Sequence, residues 1–122
     1  MYEISVESHF DAAHYLREYR GKCENLHGHR YKVKVSIKTS QIDEGGLAYD
    51  FIELKQKLNE VIKDFDHHCL NDVPPFNTIN PSAENIATTI YERMNTLLDG
   101  RPIISRVQVW ETPENQVTYY PD

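Results

Sequence analysis

From His27 the chain reads His27-Gly28-His29-Arg30-Tyr31-Lys32-Val33-Lys34-Val35-Ser36-Ile37-Lys38, and this alternation constrains the fold more than any other stretch. In a β-strand, residues i and i+2 point to the same face. A strand beginning near His27 therefore aligns both histidines with Tyr31, Val33, Val35 and Ile37 on a buried face, and turns Arg30, Lys32, Lys34 and Lys38 to water. Two inward imidazoles separated only by a glycine suggest two ligands of one metal ion. Gly28 is expected to give the backbone freedom beside a crowded site. Just upstream, Cys23-Glu24-Asn25-Leu26 brings a thiol close to the pair. A lone His-x-His is also common among ordinary surface or core histidines, so the metal reading depends on the rest of the chain.

The opening segment supplies a third imidazole. Tyr2, Ile4, Val6, Phe10 and Ala12 share one face, with Glu3, Ser5, Glu7, His9 and Asp11 opposite, as in an antiparallel strand with one wet side. His14 follows on the apolar side, where a hairpin partner would bring back His27 and His29. Three neutral imidazoles with a coordination position left open is the donor set of a catalytic zinc site. A thiol near a dication and near Arg20 and Lys22 ionises more readily than a free one. Cys23 is thus a candidate base, the alternative being a fourth ligand that closes a structural site.

Helices are expected downstream. Gly45-Gly46 marks a turn, and Asp50 can cap a helix with Glu53 in the capping-box position. Phe51, Leu54, Leu58, Val61, Ile62 and Phe65 recur at helical spacing. Beyond them, Asp66-His67 reads as an acid–base unit, because imidazole titrates near neutrality and a carboxylate can orient it. His9, His68 and Cys69 are read as structural. Residues 73–81 form an irregular loop with three prolines. Ser82 then caps a second helix with Glu84 in its first turn and Ile86, Ile90, Met94, Leu97 and Leu98 on its apolar face, ended by Gly100. Strands follow over 104–112 and 116–120. Val107, Val109 and Glu111 share a face, leaving a carboxylate at the end of an apolar stripe. The expectation is an α+β fold of order ββααββ: a four-stranded antiparallel sheet with both helices on one face.

The bounds fit one domain spanning residues 1–122, with 26% charged and 39% apolar residues. There is no apolar run of membrane-spanning length and no signal peptide, so no membrane partner is expected. Two cysteines make no disulfide framework, and a reducing cytoplasm is the expected location. A net charge of −6 argues against a nucleic-acid surface.

Taken together, Cys-x-x-x-His-Gly-His, Phe10-Asp11-Ala12-Ala13-His14, Asp66-His67-His68, Asn80-Pro81-Ser82-Ala83-Glu84 and Trp110-Glu111-Thr112 resemble the 6-pyruvoyltetrahydropterin synthase superfamily over essentially the whole chain. The short spacer after the cysteine is similar to that of the 6-carboxytetrahydropterin synthases of the queuosine pathway. The resemblance implies a tunnelling fold whose subunits join sheets into a trimer or a dimer of trimers. It also implies Zn2+ held by His14, His27 and His29, Cys23 as base, and Asp66 with His67 as proton relay. Glu111 would grip the pterin, and Ser82, Ala83 and Glu84 would line its pocket. Ala83 stands where other members carry a hydroxyl residue. Arg17, Arg20, Lys22 and Lys32 are candidates for the triphosphate of a pterin triphosphate substrate. The implied reaction converts 7,8-dihydroneopterin triphosphate to 6-carboxy-5,6,7,8-tetrahydropterin with loss of acetaldehyde and triphosphate. Its rivals are the pyruvoyl-forming or aldolase-like activity at the same site and a non-enzymatic zinc-binding interaction domain.

Overall fold

The computed structural model describes every residue except Tyr19, Arg20, Lys22 and Cys23. Strand β1 (Tyr2–His14) and strand β2 (His27–Thr39) form a long antiparallel hairpin, in register from Tyr2↔Thr39 to His14↔His27. The alternation that defines both strands is preserved in their burial. Phe10, Tyr31, Val33, Val35 and Ile37 are fully buried on one face. On the other face Glu7, Asp11, Arg30 and Lys32 form cross-strand ion pairs. Phe10 stacks on Tyr31 with ring centroids 4.9 Å apart, a cross-strand pair just below the histidines.

Helix α1 (Phe51–Ile62) starts at Asp50, whose carboxylate accepts the Ile52 amide. The expected capping box does not close, because Glu53 pairs with Lys57 one turn on, at 3.0 Å. Leu54, Leu58, Val61 and Ile62 are buried, whereas Phe51, at the first turn, is largely exposed. Helix α2 (Ala83–Leu98) is capped by Ser82, whose hydroxyl accepts the Asn85 amide at 3.2 Å. It closes with Asp99 and Gly100 both at positive φ, 55° and 77°. Leu97 faces outward rather than into the core, while Ile86, Ile90, Met94 and Leu98 are buried.

Among the described residues the sheet has five strands in the order β3-β1-β2-β4-β5, rather than the four expected. The addition is β3 (His68–Cys69), which pairs parallel to β1 through Ala12↔His68 and Ala13↔Cys69 and falls between the helices. The element order is therefore ββαβαββ. A two-residue strand has no side-chain period to read. It forms because the His67 amide donates to Asp11 O at 2.6 Å, tying the exit of α1 to the strand edge. β4 (Ile103–Thr112) and β5 (Asn115–Tyr119) complete the sheet. The core lies between the sheet and the two helices, with Phe65, Leu70 and Phe76 closing it from the connecting segment. No helix among the described residues is long and apolar enough to cross a membrane.

Candidate metal centre and acid–base cleft

Past His14 the chain leaves the sheet, yet its backbone remains paired. The Asn71 side-chain amide accepts from Tyr15 N and donates to Tyr15 O, both at 3.0 Å. Asn80 does the same for Arg17, both at 2.9 Å. These two side chains act as substitute strand partners and hold residues 15–17 against the proline loop. The Arg17 guanidinium is engaged by Phe76 O and Ile79 O. Arg17 thereby ties residues 15–17 to this loop.

At the end of the hairpin, His14, His27 and His29 bring one ligand atom each to within 4.8 Å of one another. His14 is almost wholly buried, and its Nδ1–H donates to Pro81 O at 2.8 Å. The His27 Nδ1–H donates to Asn25 O at 2.6 Å. A carbonyl can only accept, so in the neutral form of each ring the proton sits on Nδ1 and the Nε2 lone pair is bare. Those two Nε2 atoms face each other at 3.0 Å. The Nε2 of His29 is buried and has no hydrogen-bond partner among the described residues. Burial holds both His14 and His29 below the usual imidazole range, which favours the neutral ligand form. Convergent bare imidazole nitrogens, oriented from behind by carbonyls, fit a zinc ion.

Glu111 reaches this cluster from β4. The β4–β5 register shifts between Trp110 and Thr112, so Glu111 is the extra residue of a bulge, a device that re-aims a side chain. Its carboxylate lies 3.6 Å from His29 Nε2 and 3.8 Å from His14 Nε2. Glu111 and His29 share a cavity of about 930 Å3 with Lys32, Lys55, Trp110 and His9. Lys32 Nζ stands 4.1 Å over the Trp110 ring. Gly28 lines this cavity too, but a Cβ there would meet Ala12 O at an ordinary 3.7 Å. Neither crowding nor a positive φ therefore requires glycine at this position.

His67 lines an adjoining cleft of about 590 Å3 together with Asp11, His29 and Arg30. Asp66 Oδ2 is 2.9 Å from His67 Nδ1, and Asp66 Oδ1 accepts the Asp11 amide at 2.9 Å. That backbone hydrogen bond, more than the imidazole, holds the Asp66 carboxyl below its usual range. His67 has a positive φ of 60° and an exposed ring that is free to meet a ligand. His68 and Cys69 flank the same cleft on β3. Ser82, Ala83 and Glu84 line neither cavity within this chain. Pro81 links their segment to His14. Cys23, Arg20 and Lys22 lie outside the described residues. Sequence reasoning missed Lys55, which α1 projects into the larger cavity, and Asn71, and named Asn80 only as part of a motif, without its clamp on Arg17. Asn80-Pro81 carries a turn signal, but its partner is 63 residues away.

A mixed α+β sheet with three convergent imidazoles, beside a cleft lined by His67, defines a candidate metal site with an Asp–His pair next to it. The chain belongs to the 6-pyruvoyl tetrahydropterin synthase family, whose model matches residues 3–122. It is 32% identical to the 6-carboxy-5,6,7,8-tetrahydropterin synthase of Bacillus subtilis, covering 98% of this chain and 86% of that protein. Against the enzyme of the same name from Haemophilus influenzae the identity is 34%, over 98% and 99% of the two chains. The structure of Caenorhabditis elegans 6-pyruvoyl tetrahydropterin synthase matches with a TM-score of 0.90 at 30% identity, over 99% of this chain and 96% of that one. The protein is accordingly an enzyme with the family's tunnelling fold.

Proposed function

We propose that this enzyme is a zinc-dependent lyase that converts 7,8-dihydroneopterin triphosphate to 6-carboxy-5,6,7,8-tetrahydropterin, releasing acetaldehyde and triphosphate. The observation that carries the proposal is the convergence of three imidazole ligand atoms beside a cleft shared by His29 and His67. The names borne by the relatives from Bacillus subtilis and Haemophilus influenzae support the carboxy-forming product.

His14, His27 and His29 would hold the zinc, which when bound supplies a Lewis acid without redox chemistry of its own. The remaining work falls to protein groups. Glu111, aimed by its bulge, offers two carboxylate oxygens to the paired N–H donors of a pterin ring. His67 accepts and returns a proton at its free Nε2, while Asp66 holds Nδ1–H and so fixes the tautomer. Cys23 is assigned the base acting on the substrate side chain. Lys32 and Lys55 line the Glu111 cavity and are assigned to the triphosphate there, beside the candidates Arg17, Arg20 and Lys22. Ser82, Ala83 and Glu84 would line the pterin pocket, built between subunits of a homo-oligomer.

The test is incubation of zinc-loaded protein with dihydroneopterin triphosphate, followed by mass spectrometry, beside a Cys23→Ala variant. Acetaldehyde with the 6-carboxy product, lost in the variant, is the expected result. A 6-pyruvoyl product would transfer the protein to the sister activity, the one named for the Caenorhabditis elegans structure.

A further inference from the structure

Asp11 has three partners, and they divide between its backbone and its side chain. The amide N–H donates to Asp66 Oδ1 and the carbonyl accepts the His67 amide, which docks the Asp66–His67 turn on β1. The carboxylate receives Arg30 Nε at 2.8 Å and Nη2 at 3.0 Å, a bidentate pair. Arg30 follows His29 on β2 and lines the same cleft as His67. The residue adjoining a metal-ligand position is thus coupled, through Asp11, to the acid–base pair.

We propose that Arg30 and Asp11 are positioning residues for the Asp66–His67 pair, with the Arg30 guanidinium balancing the Asp11 carboxylate so that Asp66 alone governs the imidazole. The proposal rests on the reading of Asp66–His67 as the proton-transfer pair. Arg30 hydrogen bonds, ahead of its charge, hold the Asp11 carboxyl below its usual range, so it is ionised at neutral pH. A guanidinium does not titrate in proteins. Without it, a second uncompensated carboxylate would stand beside Asp66 and favour the charged imidazole. Among the described residues, the other groups around His67 are His29 on β2 and His68 and Cys69 on β3, while His9 acts on Asp11 from β1. None of them carries a permanent charge that could replace Arg30.

The backbone half of the arrangement survives side-chain substitution, so the two halves can be separated experimentally. The midpoint of the His67 ring resonance, assigned by its loss in His67→Asn, would be followed by NMR in the full chain and in Arg30→Gln, Asp11→Asn and Arg30→Lys. The midpoint should rise in Arg30→Gln and fall in Asp11→Asn, each by roughly 0.2 to 0.7 of a pH unit, the scale of exposed pairs. Arg30→Lys keeps the charge and should stay near wild type. In turnover, kcat should fall in Arg30→Gln with KM retained. Midpoints that stay fixed, or that move the same way in the two neutralising variants, overturn the proposal, as does a lysine variant that behaves like glutamine. Opposite shifts in a protein that never turns over the pterin substrate would uphold the charge balance and overturn the proton-transfer reading.

Discussion

His14 and His27 face each other through Nε2 atoms 3.0 Å apart, each ring pinned at Nδ1 by a main-chain carbonyl. Two lone pairs held so close repel unless a proton or a cation lies between them. Metal removal should therefore lower stability. Chelator treatment is expected to reduce the thermal midpoint, and added zinc to restore it. A midpoint indifferent to chelator would remove zinc from the site.

The same imidazoles set a pH dependence for the metal-free chain. Burial depresses the folded values of His14 and His29 below the reference of 6.5. The unfolded chain then binds more protons below about pH 6.5, so stability is complete above that value and declines as the pH falls through the folded values. Carboxylates such as Asp11 and Asp66 add their own loss only near and below pH 4, from reference values of 3.8. Thermal unfolding of chelated protein at pH 8, 6 and 5 should show a steady fall, and a flat response over that range would contradict it.

His67→Asn tests the proton relay with little backbone penalty. The residue sits at φ 60°, a conformation asparagine tolerates better than most side chains. Turnover should fall by roughly 100-fold or more, with zinc content unchanged. Wild-type activity in this variant would eliminate His67 from the chemistry.

Glu111→Gln separates two roles for the carboxylate. If it grips the pterin, zinc stays bound and substrate affinity drops by roughly 10-fold or more, the loss of a charge-assisted contact. Loss of zinc with pterin affinity intact would instead make it a partner of the metal.

Asn71→Ala should destabilise the fold by about 1–3 kcal/mol, because it strips both hydrogen bonds from Tyr15 in a largely buried place. Urea denaturation measures this, and a change below about 0.5 kcal/mol, the range of ordinary surface substitutions, would show that water replaces the amide.

Much of this architecture was legible in the sequence because it repeats. The β1–β2 alternation placed Phe10, Tyr31 and the three histidines on one face, as observed. Helical spacing found both helices but misjudged Phe51 and Leu97, which lie at the edge of the apolar stripe where period alone cannot assign burial. β3 was invisible, since it spans two residues and pairs with β1 only at Ala12 and Ala13. Glu111 was legible as a carboxylate ending an apolar stripe, while the bulge that aims it depends on the turn into β5. Charge and proximity named Arg17 a triphosphate candidate, while its carbonyl partners, 59 and 62 positions away, left no local signal.

The larger cavity contains the chain's single tryptophan. Trp110 lies beneath Lys32 and next to the Glu111 bulge, so a ligand entering there changes the environment of the only indole. Intrinsic fluorescence excited at the indole band consequently reports on one location, with no competing tryptophan signal to subtract. The protein carries its own optical probe at the mouth of its candidate site, and ligand titrations can be read without a label or a coupled assay.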